Sequence, residues 1–437
     1  MFVIVLSNDF SHKKYPFAIA KPNIEIKNDI ITFDMTSTVY IAKNVYGGDG
    51  MGRLGDGRVV FVPGAFAGEN VKAEIVEEKR HFVRARLVEV VEASPERLSA
   101  AQIAADLPDG PLPGMVYAGL SAKGEREAKV RQLQEFFDRA RIAIPEIIPI
   151  DSPKLYNYRN KVVYHFAKQK GRWALGYRVE PSHEIHDVTV DPLARPEINA
   201  KLPEIRTHVT MLLTQGAEAV RRSIERKSNV TVRWTAKSGV HWWLGDAPQT
   251  PVVLRETTAG KVFEVPSDGF YQVNPEMGEE LVKAVVAAFR SAPTPELLDL
   301  YCGVGVFGLC CADGAVKVTG VESGRQAIEF ARRNAAAQGV PSARFYSERV
   351  GASLKRIRVG ERTTVVVDPP RGGMEPNVPQ WLADSRAPRI LYVSCDPATL
   401  MRDLRTICGR YDVESVRWFN MFPRTARFET LVALRRK

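Results

Sequence analysis

Apolar and polar positions alternate in short runs along the first part of the chain. Val39–Ile41, Val59–Pro63, Asn70–Glu77 and Arg84–Val91 are rich in β-branched residues, which predicts strands. Gly47-Gly48-Asp49-Gly50-Met51-Gly52 and Gly55-Asp56-Gly57 read as the turns between them. About five short strands in this length predict a small closed barrel of oligonucleotide-binding type. Ahead of it, residues 1–36 have weak periodicity and read as an N-terminal extension, with Met35 a second candidate start.

The pattern then changes twice. Ala93–Gly124, rich in Pro, Ala and Gly, reads as a connection. Val130, Leu133, Phe136 and Phe137 recur at helical spacing, so Glu125–Arg141 is an expected helix and a candidate to pack on the last domain. Strands are expected at Val162–Ala167, Trp173–Arg178, Asn229–Ala236 and His241–Leu244, with a helix over Ala200–Arg226: an α+β region. From about residue 265, strands and helices alternate, which argues a parallel sheet. The strands are Leu297–Tyr301, Val316–Glu322, Thr364–Asp368, Ile390–Ser394, Glu414–Phe419 and Glu429–Leu434, with helices at Gly324–Gln338 and Asp396–Cys408. The expected organisation is an extension (1–36), a barrel (37–95), a central α+β domain (96–265) and an α/β, Rossmann-like domain (266–437).

Composition sharpens this picture in two ways. The 437 residues carry a net charge of +10, which suits a polyanionic partner. Arg53, Arg58, Lys72, Lys79, Arg80, Arg84 and Arg86 are expected to give the barrel part of that charge. The five cysteines, Cys302, Cys310, Cys311, Cys395 and Cys408, all fall in the last third and none form a CxxC pair. A secreted disulfide framework is disfavoured, zinc or iron–sulfur ligation has no support, and a reducing, cytoplasmic setting is expected. The opening Met-Phe-Val-Ile-Val-Leu is too short for a signal-peptide core, and no apolar run reaches membrane-span length.

Candidate chemistry begins where the first parallel strand ends. Gly303, Gly305 and Gly308 satisfy GxGxxG between a strand and a helix, where backbone must pass close to a ligand. Glu322 ends the next strand, where a carboxylate can accept ribose hydroxyls. Asp299 stands just before the loop, where it would repel the pyrophosphate of a dinucleotide but tolerate the ammonium of an amino-acid-bearing cofactor. Asp368-Pro369-Pro370-Arg371 adds another acid at the same sheet edge. S-adenosylmethionine therefore fits this edge better than NAD.

Cys395 ends a buried strand, followed by Asp396 as an N-cap and Pro397 at the first helical position. A helix N-terminus favours thiolate, while the adjacent Asp396 opposes it. The other cysteines read as ordinary packing residues. Glu429 opens an otherwise apolar strand, and Arg424 and Arg427 just before it are phosphate-binding candidates.

Together these residues resemble the RNA uracil-5-methyltransferase family, which modifies transfer RNA and large ribosomal RNA. The resemblance spans roughly residues 37–437. Phe61-Val62-Pro63-Gly64 with Gly68-Glu69 is similar to the family's TRAM domain, Tyr158-Arg159-Asn160-Lys161 to its central signature, and Phe270-Tyr271-Gln272-Val273-Asn274 to the entry into its catalytic domain. The resemblance implies that Gln272, Tyr301, Glu322 and Asp368 contact S-adenosylmethionine, that Cys395 is the nucleophile and that Glu429 is the base. Asp299, Gly303 and Gly305 join the cofactor candidates; Arg53, Arg159, Lys161, Arg371, Arg424 and Arg427 are the RNA candidates. Many members carry a four-cysteine iron–sulfur cluster; here Pro113-Gly114-Met115 and Asp191-Pro192 contain no cysteine, so no metal cluster is expected. Asp396 stands where the family usually has Asn, and Arg427 where it usually has His.

The expected activity is S-adenosylmethionine-dependent methylation of uridine carbon 5 in structured RNA by a monomer. Methylation of cytosine or an amino group, and a non-catalytic RNA-binding or chaperone role, are the alternatives.

Overall fold

The computed structural model describes residues 24–27, 30–33, 36–179, 182, 184–312 and 316–437. Most of the expected extension lies outside the described residues; within it, strands Ile24–Lys27 and Ile30–Phe33 pair antiparallel. The chain divides into two compact units. The smaller comprises residues up to Lys43 with Gly50–Ala93; the larger comprises Asn44–Asp49 with Ser94–Lys437.

The smaller unit holds a closed five-stranded barrel, ordered Thr36–Asn44, Gly50–Arg53, Val59–Val62, Phe82–Glu92 and Asn70–Glu78. Val39, Ile41, Val60, Val62, Val71, Ala73, Val83 and Ala85 fill it from alternate positions. The run Gly50–Arg53 is a strand rather than the expected turn. Its glycines answer close approach: a Cβ at Gly50 would meet the Ala65 carbonyl oxygen at 2.6 Å, and one at Gly52 would collide with that of Tyr40. The barrel's positive charge is also smaller than expected. Arg58, Lys72, Lys79 and Arg86 pair with Asp56, Glu89, Glu77 and Glu74, and Arg84 lies 3.8 Å from Glu77.

In the larger unit, the stretch expected to be a plain connection contains a helix, Ala100–Asp106, started by a Ser99/Gln102 capping box. A five-stranded antiparallel sheet follows, ordered Ile185–Asp187, Arg172–Arg178, Lys161–Gln169, Asn229–Thr235 and Gly239–Leu244. The single helix expected over 200–226 is two, Pro196–Gln215 and Glu218–Lys227, because Gly216 takes extended backbone. Ile198, Leu202, Ile205 and Val209 of the first pack with Val162, Tyr164, Val230 and Val232 of the sheet.

The last part is an eight-stranded sheet, ordered Arg344–Ser347, Lys317–Glu322, Glu296–Leu300, Thr363–Val367, Arg389–Ser394, Glu429–Arg436, Tyr411–Phe419 and Ile147–Ile150. The first five run parallel, and Glu429–Arg436 pairs antiparallel to its neighbours on both sides. Thr363–Val367 and Arg389–Ser394 are buried at every position, as central parallel strands must be. Helices 275–291, 306–311 and 325–337 pack on one face, where Leu281, Val285, Leu309 and Ile328 meet Leu297, Val318 and Leu391. Helices 122–140, 378–384 and 397–407 pack on the other, where Leu133, Leu382 and Leu400 meet Leu298, Val365 and Ile390. The carboxyl ends of the parallel strands, where α/β proteins bind ligands, therefore share one edge.

Candidate active site

At the end of strand 296–300 the backbone turns sharply. Tyr301 has φ 64°, a strained conformation for a bulky residue, and Gly303 and Gly305 have φ 54° and 86°. The Tyr301 hydroxyl donates to the Glu375 carboxylate, which fixes the ring. Asp299 is fully buried behind the turn. Its Oδ2 accepts from the Gly308 amide at 2.9 Å, while its Oδ1 has no partner. Burial pushes this carboxyl up to about 7. One strand over, Glu322 Oε1 accepts from the Gly324 amide at 2.7 Å and from Ser323 Oγ at 3.0 Å, which orients the carboxylate. On the other side, the Asp368 amide donates to Leu300 O at 3.3 Å. Its carboxyl is pushed up to about 8, by burial first and then by the charge of Asp299.

Gln272, Tyr301, Gly303 and Asp368 line one cleft, together with Phe270, Tyr271, Cys302, Val304, Val306 and Phe307. Asp299 and Gly305 support the loop from behind, and Glu322 stands beside the cleft without lining it. Gln272 is set by the close approach of helix 275–291: a Cβ at Gly278 would meet Gln272 Cβ at 2.8 Å. That helix starts at Asn274, whose side chain accepts from the Met277 amide and donates to Met421 O at 3.1 Å. Sequence reasoning missed Glu375, whose partner Tyr301 lies far away along the chain, and the contact of Asn274 with distant Met421, although Asn274-Pro275 carries a local helix-start signal.

Strand register brings the two reactive candidates together. Ser394 pairs with Thr430, so Cys395 and Glu429 leave adjacent strands at the same end. Asp396 Oδ1 caps helix 397–407, accepting from the Ala398 and Thr399 amides at 3.0 Å each. Cys395 is half-buried. Its thiol is pushed up to about 12, by burial first, then by Glu429 and Asp368, with Arg371 pulling it down. The opposing influences expected from the sequence thus resolve toward the neutral thiol. Glu429 is buried, its Oε2 has no partner, and burial with the neighbouring Asp368 holds its carboxyl well above the usual range. Cys302, Cys310 and Cys311 are buried and Cys408 is half-buried, each thiol raised by burial.

The basic candidates divide. Arg371 is exposed beside this pair, and Arg53 is exposed in the barrel with its Nη1 on Gly57 O. Arg427 is partly exposed. Arg424 is instead an interior residue. It is 2 % exposed, lies 3.6 Å from the Glu125 carboxylate and donates to Tyr117 O and Leu120 O. Arg159 and Lys161 also turn into the fold: Arg159 packs on the Tyr158 ring and Lys161 reaches Asp268 O at 3.5 Å.

Comparison with known proteins places this arrangement. The chain is 30 % identical to an uncharacterized RNA methyltransferase of Gloeobacter violaceus, over 92 % of this chain and 96 % of that one. Residues 252–437 match the tRNA (Uracil-5-)-methyltransferase family model. The chain belongs to the tRNA (uracil-5-)-methyltransferase family. It is thereby an RNA methyltransferase, a one-carbon transferase of class 2.1.1. Residues 36–88 match the TRAM domain model, which covers most of the barrel. Another relative of this family, the 23S rRNA (uracil(1939)-C(5))-methyltransferase of Chromohalobacter salexigens, is 28 % identical over 91 % of this chain and 88 % of its own. The fold is also that of Pyrococcus abyssi tRNA (uracil-54, C5)-methyltransferase, solved in complex with S-adenosyl-L-homocysteine. The TM-score is 0.67 and the identity 22 %, over 91 % of this chain and all of that one. The methyltransferase match takes in Gln272, Cys395 and Glu429, and with them the whole cleft described above.

Proposed function

We propose that this enzyme methylates carbon 5 of a uridine in structured RNA, with Cys395 as nucleophile and Glu429 as base. The methyl donor is S-adenosylmethionine, which supplies, when bound, a methyl group on a sulfonium centre. The residues present suit such a ligand. Asp368, which lines the cleft, is a buried acid that gains by facing a cation, and Asp299, behind the loop with one oxygen unpartnered, adds to the negative potential there. Tyr301, Val304 and Phe307 supply apolar wall, and Gln272 a polar contact. Glu322, oriented by the Gly324 amide, would take the ribose hydroxyls.

Uracil carbon 5 is a weak nucleophile. The Cys395 thiol first loses its proton to solvent; addition of the resulting thiolate to carbon 6 forms a C–S bond and moves the electron pair into an enolate, which makes carbon 5 nucleophilic. Once carbon 5 is methylated, the Glu429 carboxylate takes its proton. The C5–C6 double bond re-forms and the thiolate leaves. General-base help of this kind contributes about 10²–10⁴-fold. The target base has to leave its stack to reach the pair, so a flipped nucleotide in an RNA loop is the substrate form. Exposed Arg371 beside the pair is the best-placed phosphate contact, with the barrel and the antiparallel sheet gripping RNA shape. The enzyme is proposed to act as a cytoplasmic monomer without a metal cluster.

The adjacency of Cys395 and Glu429 across the 394–430 pair, beside the cleft, carries this reading. Glu429→Gln incubated with cofactor and unmodified RNA is expected to accumulate a covalent protein–RNA adduct that survives denaturing electrophoresis, and Cys395→Ala to form none. An adduct in the Ala variant would overturn the assignment.

A further inference from the structure

Asp396, the residue after Cys395, and Arg427, two residues before Glu429, meet in space. Arg427 Nη1 lies 3.5 Å from Asp396 Oδ2. The same nitrogen donates to the Tyr46 hydroxyl at 2.7 Å, and the guanidinium lies over the Tyr46 ring, 5.4 Å from its centroid. Tyr46 is itself fixed edge-on against Phe136 and Phe428, at 5.6 and 5.8 Å. The arginine is therefore held by an aromatic residue with little freedom, and the same nitrogen faces the acid next to the nucleophile.

The division of labour within Asp396 gives this contact a purpose. Its Oδ1 does the capping, which needs an acceptor and no charge; an amide oxygen would serve equally. The carboxylate thus brings a negative charge beside Cys395 that the cap does not require. That charge opposes thiolate formation in a site where Glu429 and Asp368 already oppose it and, apart from the helix N-terminus, Arg371 is the side chain that favours it; the Tyr46 hydroxyl also faces the thiol. A cation on Oδ2 cancels the excess while leaving Oδ1 free to cap. We propose that Arg427, pinned by Tyr46, is a positioning residue that neutralises the Asp396 carboxylate beside the Cys395 thiol.

The proposal rests on the reading of Cys395 as nucleophile, but it is tested on the thiol alone. Alkylation of Cys395 by iodoacetamide is followed peptide by peptide across pH in the full chain, without RNA or cofactor. Below the midpoint the rate follows the thiolate fraction. An upward shift of about one pH unit, the size expected for exposing one nearby charge, slows alkylation about tenfold at fixed pH. Arg427→Ala is expected to show that slowing and Arg427→Lys to retain most of the wild-type rate. In an Asp396→Asn background, where the guanidinium has lost the carboxylate that holds it beside the thiol, Arg427→Ala is expected to slow alkylation clearly less than in the wild-type background. Should Arg427→Ala not fold, Arg427→Gln with and without Asp396→Asn carries the same comparison. An unshifted profile in the single variant, or equal slowing in both backgrounds, overturns the proposal. So does a loss of RNA affinity with alkylation unchanged, which would make Arg427 an RNA contact. Absence of the Glu429→Gln adduct would sink the nucleophile reading itself, and is read separately.

Discussion

Asp299→Asn should stabilise the protein in a pH-dependent way. Asp299 is fully buried, with one oxygen on the Gly308 amide and the other without a partner. An unfolded aspartate titrates near 3.8, while this one is pushed up to about 7 by burial. Between those values the folded state holds a proton that the unfolded state has lost. Its stability therefore falls as pH rises through the window and levels off above it. At about 1.4 kcal/mol per unit, the full effect is at most about 4 kcal/mol, and about 2–3 kcal/mol of it is lost between roughly pH 5 and pH 8. Asparagine keeps an acceptor for Gly308 but cannot ionise. Whatever constant cost its amide adds, the stability difference between variant and wild type should move in favour of the variant across that window. Asp368 is raised in part by the Asp299 charge, so the substitution also relieves Asp368, and both effects move the difference in favour of the variant. Urea unfolding at a series of pH values measures it. A difference that stays flat from about pH 5 to pH 8 would refute the argument, because the buried charge would then carry no folding penalty.

Four further outcomes are expected. Binding of S-adenosylmethionine near neutral pH should release protons, because a cation lowers the raised carboxyls of Asp368, at about 8, and Asp299, at about 7, so affinity should climb as pH rises toward 8. Calorimetry in buffers of differing ionisation enthalpy detects this, and zero proton release would contradict it. Arg424→Ala should cost about 3 kcal/mol in unfolding experiments by breaking the buried contact with Glu125, while the salt dependence of RNA binding stays unchanged; a shallower salt slope would restore Arg424 as a phosphate contact. Gly308→Ala should destabilise by about 1–3 kcal/mol, since its Cβ would meet Val318 Cγ1 at 2.8 Å and Asp299 Oδ2 at 3.1 Å; unchanged stability would mean that the loop has slack. Cys395→Ala should lose methyl transfer yet bind S-adenosylhomocysteine with wild-type affinity in calorimetry, whereas loss of binding would make the cysteine structural.

Much of the catalytic edge was legible because it rests on local rules. Continuous apolar runs marked the buried strands at 363–367 and 389–394, and Asp396-Pro397 marked the helix start that follows Cys395. What stayed hidden depends on partners distant in the chain. Ile147–Ile150 becomes a strand only by pairing with Tyr411–Phe419, and Arg344–Ser347 is too short to show a period. The glycines at 50 and 52 signal a turn until the neighbouring carbonyls that require them are in view. Arg424 and Arg427 look alike as sequence. One is buried against Glu125 from the helix 122–140, while the other reaches Tyr46 and Asp396, and only the packing separates them.

The most direct test of the central claim is nucleoside analysis. Purified protein is incubated with labelled S-adenosylmethionine and separate pools of unmodified transfer and ribosomal RNA, which are then digested. Label in 5-methyluridine, lost in Cys395→Ala, is the expected result, and the labelled pool identifies the substrate. Label in a methylated cytidine or in an amino-methylated base would leave the fold and methyl donor in place and contradict the chemistry assigned to Cys395 and Glu429.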